Sequence, residues 1–331
     1  MHFAFTTEQL ELRDGLRELL ADVCPPDVVR AAWIGDPSPV PQLWKQLGSI
    51  GLLGLLVPER LGGMGCSEVE LALLLEECGR FALPGPLGEH VAIGVPALAA
   101  AGAPETAAAM AGDAVVTALA PESHRLRWNG QVDLVVCPVG DELRLASSGD
   151  FEDGDQLPCV DRSVPSAIVT ARQTRALSGA DATLARRRAT LASAALLVGL
   201  ADRIIAMTTE YVKARTQFGV PVGSQQAVKH PLATALIALE HARPVVYRAG
   251  WVLAAGADEP DLATSFAKVY AARAANLAAR TALQCHGAIG YSWEHDLHMW
   301  MKRVWTLSAA WGTTEAHEEI VAATVLNRAS A

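Results

Sequence analysis

The chain has 331 residues, enough to bury a large core, and is 51% hydrophobic and only 19% charged. Its net charge of -9 argues against nucleic-acid binding, which calls for a basic face, but leaves room for a small anion held by local arginines. No uninterrupted apolar run reaches the length that crosses a bilayer, and six scattered cysteines without metal-type spacing read as reduced thiols of a cytoplasmic protein.

The first residues, Met1-His2-Phe3-Ala4-Phe5, lack a basic start before an apolar block, so no secretory leader is expected. Thr6 and Gln9 stand at capping-box spacing before Leu10, Leu16, Leu19, Leu20 and Val23. That pattern predicts a helix over 6–23, stopped by Cys24-Pro25-Pro26. A second helical stretch is expected over 41–57, running into a glycine-rich turn at 58–65. Ser67 and Glu70 open a third helix over 67–82, and the Ala- and Leu-rich residues 88–112 read as helical. Near Asp113 the texture changes. Short apolar or alternating runs at 114–120, 133–138, 142–146 and 166–170 lie between turn signals and predict strands. From Gly179 the pattern is helical again, over 181–214, 225–255, 259–287 and 314–327. The expected fold is therefore mainly α with a small β domain: an N-terminal helical domain at 1–112, a β domain at 113–177 and a C-terminal helical bundle at 178–331.

Three segments carry chemistry. The first is Arg215-Thr216-Gln217-Phe218-Gly219-Val220-Pro221, followed by Gln225. A guanidinium beside a Gly/Pro loop can hold a pyrophosphate, and an amide at the next helix start can read an adenine edge. Composition alone favours the plainer reading, a helix–loop–helix corner with a surface arginine. The second is Gln284-Cys285-His286-Gly287-Ala288-Ile289-Gly290-Tyr291, whose glycines allow close approach of a ligand or simply end a helix. The third is Trp311-Gly312-Thr313-Thr314-Glu315, where donors at a helix start suit an anion, or Thr313 or Thr314 is a plain cap. Gly62-Gly63-Met64-Gly65 lacks the preceding strand and following Lys-Ser/Thr of a phosphate loop. His295 and His298, with Glu294 and Asp296, lack the two-His spacing of zinc enzymes and read as a polar helix surface, so no metal is expected.

Taken in order, these segments and the stretch from Leu43 to Gly65 resemble the acyl-CoA dehydrogenase family along nearly the whole chain. The resemblance implies that family's arrangement of helical domain, middle β domain and four-helix bundle. It implies FAD at a subunit interface, an acyl-CoA substrate and an electron-transfer flavoprotein as acceptor. It places Arg215 and Phe218 at positions that hold the pyrophosphate and flank the FAD of a neighbouring subunit, Gln217 among the cofactor-binding residues, and Gln225 on the adenine side. It places Gln284 and Gly287 in the segment touching that FAD, with Ala288 replacing the usual second glycine, and Thr313 and Glu315 in contacts after the catalytic position.

Two departures stand out. The family's catalytic glutamate immediately precedes the Gly-Thr of the third segment; here that residue is Trp311. Some members place the base earlier, at a position corresponding to about Ala189, and no Asp or Glu occurs between Asp181 and Asp202. The flavin-holding segment of the middle domain is reduced to Ala118-Leu119-Ala120-Pro121-Glu122-Ser123, and the later Trp-x-Ser/Thr flavin contact has no clear match. The pattern resembles the short, base-less subunits that pair with a full-length catalytic subunit in bacterial heterotetrameric acyl-CoA dehydrogenases of steroid catabolism. Three alternatives stay open: a self-sufficient homo-oligomeric dehydrogenase with an unconventional base, an FAD-free scaffold or regulatory protein of the same fold, and a family member turned to non-oxidative chemistry such as dehydration.

Overall fold

Thr6 caps the first helix, α1 (Thr7–Val23), through the expected reciprocal box: the Gln9 amide N–H donates to Thr6 Oγ1 and the Thr6 N–H to Gln9 Oε1. The computed structural model describes residues 4–121 and 123–329. Met1–Phe3, in the segment where no leader is expected, and Glu122, in the reduced middle segment, lie outside the described residues.

Pro25 ends α1, but Pro26 begins a further helix, α2 (Pro26–Trp33), which the double proline conceals. The second expected helix stops at Ser49 in α3 (Val40–Ser49), not at 57. Gly51 takes φ +82 and turns the chain into short 3-10 turns. The glycine-rich turn then packs on its own chain: Met64 N–H donates to Gly54 O, and a Cβ on Gly63 would collide with Val57 O. α4 (Glu68–Arg80) starts where Ser67 and Glu70 place it, with Ser67 N–H donating to Glu70 Oε2 at 2.8 Å. The Ala- and Leu-rich stretch is a broken helix: α5 (Leu87–Glu89), a π turn (His90–Gly94), α6 (Val95–Ala100) and, after a turn, α7 (Thr106–Ala111).

The strands between residues 116 and 176 form two small sheets. β1 (Val116–Ala118) pairs in parallel with β3 (Leu134–Val139); β4 (Glu142–Ser147) joins β3 antiparallel, and β7 (Arg175–Ala176) joins β4. The second sheet runs β2 (Arg125–Arg127), β6 (Ser166–Ala171), β5 (Phe151–Leu157), all antiparallel. Leu126, Trp128, Val135, Phe151, Ala167 and Val169 share one buried cluster.

After the strands come α8 (Ala182–Ala214), a short hairpin of β8 (Thr216–Gln217) and β9 (Val220–Pro221), α9 (Gln226–Ala254), α10 (Pro260–His286), α11 (Leu297–Ser308) and α12 (Thr314–Ala329). α8 is long and apolar enough to cross a membrane by composition, yet 78% of its most apolar window is buried, as in the core helix of a packed bundle. By contacts the chain divides into two compact units. One comprises residues 1–26, 72–82 and 193–331; the other comprises 27–71 and 83–192. In the first, α9 packs along α10 and α10 along α12. The second holds α2, α3, α5, α6, α7 and both sheets, whose strands share an apolar cluster.

Candidate nucleotide corner and the position of Trp311

α8 ends at Ala214, and the Arg215 N–H still donates to Tyr211 O at 2.8 Å. The β8–β9 ladder pairs Thr216 with Pro221 and Gln217 with Val220. That leaves Phe218 and Gly219 as a two-residue turn in which both have positive φ, as a type I′ turn requires. Phe218 is fully exposed at φ +52, a conformation unfavourable for an aromatic residue. Gln225 caps α9 with extended backbone. Arg215, Gln217 and Gln225 are exposed and make no side-chain hydrogen bond among the described residues.

The second segment lies beside the first. His286, 5% exposed at the end of α10, stacks on Tyr211, one turn before Arg215, with ring centroids 4.2 Å apart. His286 Nδ1 donates to Ala282 O at 2.8 Å, because a carbonyl can only accept; Nε2 is thereby an acceptor, and it is buried without a partner. Burial lowers this histidine's pKa. His295 closes the cluster at 4.7 Å from His286. Gln284 and Gly287 are exposed next to it. Gly287 holds φ +64 with ψ -145, a region essentially reserved for glycine, and the space above its Cα is open. The stack thus brings the Arg215 hairpin and the Gln284–Gly287 segment together, which spacing alone does not show.

Trp311 sits on the corner between α11 and α12, in left-handed backbone at φ +57, followed by Gly312 at φ +100. α10 holds this corner. Lys268, 0% exposed, donates from Nζ to Leu307 O at 2.6 Å, Ala310 O at 2.7 Å and Ser193 Oγ at 2.6 Å. Asn276 donates to Ser308 Oγ at 2.9 Å. His317 Nε2 donates to Trp311 O at 2.9 Å, so its Nδ1 accepts from Ser265 Oγ at 3.0 Å. Burial lowers the His317 pKa, and Lys268 adds to the effect. Thr313 acts as the cap: its Oγ1 accepts from Ala316 N–H. Glu315 is exposed in the first turn of α12, where hydrogen bonds from its own backbone and from Thr313 lower its pKa. Trp311 is half-buried, and Ala189 is buried on α8.

Lys268 and His317 escape a reading of the sequence. A signal exists for Lys268, the lone charge between Asp261 and Arg273 in an apolar stretch of α10. Of the two decoy histidines, His298 is buried at 1% exposure, not on a polar surface. No group of three metal-ligating side chains occurs among the described residues. A cavity of about 480 Å³ in the second unit is lined by Trp44, Pro84, Asp113, Asn129, Gln131 and others; none of the residues singled out above lines it.

A helical protein with a small β insert, whose terminal helices present a guanidinium, amides, an exposed aromatic ring and a glycine-only turn, has the make-up of a dinucleotide-dependent enzyme subunit. Residues 6–113 match the acyl-CoA dehydrogenase N-terminal domain and residues 177–326 its C-terminal domain. Acyl-CoA dehydrogenase IpdE2 of Mycobacterium tuberculosis is 32% identical over 299 residues, covering 89% of this chain and 90% of that protein. The chain belongs to the acyl-CoA dehydrogenase family, a family of oxidoreductases with FAD as cofactor. The fold is shared with the ChsE4–ChsE5 complex from Mycobacterium tuberculosis (TM-score 0.83, 22% identity, 98% of this chain and 99% of that one). It is shared equally with the Tcur3481–Tcur3483 steroid ACAD G363A variant (TM-score 0.84, 24% identity, 98% and 99%).

Proposed function

We propose that this chain is the base-less subunit of an FAD-dependent acyl-CoA dehydrogenase, completing the FAD site of a full-length catalytic subunit in a heterotetramer. The observation that carries the reading is the residue at 311. Its corner is tied down through Lys268, Asn276 and His317, yet it presents an indole, whose N–H only donates and cannot take up a proton. Ala189, at the other position the family uses, offers a methyl group.

The residues fit the cofactor. Arg215 supplies paired charged donors for a pyrophosphate, Gln217 and Gln225 supply amides for polar edges, and Phe218 supplies an apolar face. Gln284 flanks Gly287, whose missing Cβ lets a ligand approach the backbone; Thr313 and Glu315 sit at the α12 start. Bound FAD supplies the acceptor for the hydride that leaves the β carbon in α,β-desaturation of an acyl-CoA thioester. In this reading, this chain's side chains bind and orient, a glutamate of the catalytic subunit removes the α proton, and an electron-transfer flavoprotein takes the electrons onward. Steroid-derived thioesters are the proposed substrates: one structural relative is a steroid ACAD and another a two-protein complex. A cytoplasmic setting is part of the same proposal.

The test is FAD content in a complex of this chain with a full-length acyl-CoA dehydrogenase subunit that carries the catalytic glutamate. Arg215→Ala should lower FAD occupancy, and Trp311→Phe should leave it nearly intact. Equal loss in both variants would mean that the retained site is not at the Arg215 hairpin.

A further inference from the structure

Arg125 and Arg127 stand two residues apart on β2, about 7 Å along the strand, so both side chains leave the same face of the sheet. Leu126 and Trp128 point the other way, into the apolar cluster. Across the ladder, Arg125 faces Ile168 and Arg127 faces Ser166, whose hydroxyl already donates to Val164 O. Neither guanidinium makes a hydrogen bond or ion pair with any described residue. The Nε of Arg125 is closed off from solvent and has no partner.

This arrangement is unfavourable as it stands. Like charges side by side on a strand repel, and a buried donor without an acceptor costs about 1–3 kcal/mol. Burial pushes the Arg127 pKa below its usual value; Glu89 opposes this most, and Arg125 adds to it. Glu89, 9% exposed on α5, is the carboxylate whose charge acts on Arg127. No carboxylate among the described residues pairs with either guanidinium, so their forked donors stand unmatched there.

We infer that the Arg125–Arg127 face of β2 is an oxyanion-binding site for a carboxylate or phosphate group. Two guanidiniums on one face can each present a fork of N–H donors to a group with two or more oxygens, which neither an isolated chloride nor a water satisfies as fully. The site is independent of the FAD corner and of the partner-subunit reading. It uses strand β2, which ends at the tight turn where Trp128 adopts φ +64.

Thermal unfolding of the full chain tests it, in inorganic phosphate, in acetate and in chloride at equal ionic strength. At least one oxyanion should raise the melting temperature above chloride. A response to phosphate alone assigns a phosphoryl ligand, and one to acetate alone a carboxylate. In Arg127→Gln the apparent affinity should fall at least about tenfold. Without oxyanion the variant should melt no lower than the wild type, because an unmatched, half-buried charge has been removed; a merely structural arginine would give the opposite. Arg125→Gln carries the same two readings should Arg127→Gln fail to fold. Arg215→Ala should keep the response, separating it from phosphate held at the hairpin. Equal behaviour in all three salts, or an oxyanion response unchanged in both β2 variants, overturns the proposal.

Discussion

The ammonium of Lys268 lies 2.7 Å from the carbonyl oxygen of Ala310, so a side chain wholly inside the helical bundle fixes the residue directly before Trp311. The same nitrogen takes Leu307 O and Ser193 Oγ, which ties the end of α11 to α8 and α10. Lys268→Met keeps the volume but strips three donors from their acceptors. It should cost about 2–3 kcal/mol in urea unfolding and alter the near-ultraviolet circular dichroism of the tryptophans. Gly312→Ala should cost a similar amount, about 2–3 kcal/mol. Its φ is +100, and the new Cβ would lie 2.5 Å from His317 Nε2. Midpoints equal to wild type in both variants would mean that the corner is not held this way.

Acid should weaken the fold through buried neutral histidines. His90 Nε2 donates to Ala109 O and Nδ1 accepts from Val116 N–H, a pairing the doubly protonated ring cannot keep. Burial lowers its pKa from 6.5 to about 4, and burial also lowers those of His286 and His317. The unfolded chain therefore binds these protons first. Stability is complete above the unfolded pKa near 6.5 and is lost as pH falls towards 4, with about 3 kcal/mol from His90 alone. Urea titrations at about pH 7 and about pH 4.5 measure it, and His90→Gln should flatten the dependence. A wild-type stability that is level across this window contradicts the assignment.

Two glycines inside helices should respond in opposite directions. Gly199 on α8 lies against the backbone carbonyl of Glu76, and a Cβ there has no room. The neighbouring Glu76 side chain is held by Arg243 Nε at 2.7 Å and Tyr247 OH at 2.5 Å, so α4 cannot shift cheaply. Gly199→Ala should destabilise by about 3 kcal/mol. Gly15 is exposed on α1, and nothing lies within 4 Å of where an alanine methyl would sit. Gly15→Ala should therefore stabilise by about 0.5–1 kcal/mol. Melting temperatures of the two variants, one below and one above wild type, check the packing.

Much of this is legible in the sequence where the signal is local. The capping boxes at Thr6 and Ser67 place two helix starts, and four apolar runs place β1, β3, β4 and β6. What stays hidden depends on tertiary context. β5 (Phe151–Leu157) is polar, contains Gly154 and shifts register between Asp153 and Gln156, so no alternation survives. α11 has no side-chain cap at Asp296 to announce it. The motif residues Arg215 and Gln284 are visible singly, but their juxtaposition rests on the Tyr211–His286 stack, which spacing does not encode.

Phe218 should trade stability for binding. Its exposed ring sits in left-handed backbone that asparagine tolerates better. Phe218→Asn should stabilise the isolated chain by about 0.5–1 kcal/mol while lowering FAD occupancy in the complex. A variant with unchanged FAD affinity would show the ring to be no part of the cofactor corner.

If this chain completes a cofactor site whose chemistry another subunit performs, its flavin content must depend on that subunit. Expressing it alone and together with a full-length subunit that carries the catalytic glutamate, then measuring flavin absorbance, dehydrogenase activity and native mass, tests that most directly. Little flavin and no activity are expected from the chain alone, and a yellow, active species with the mass of a two-plus-two assembly from the pair. A stable, yellow, active homo-oligomer from this chain alone would contradict the division of labour.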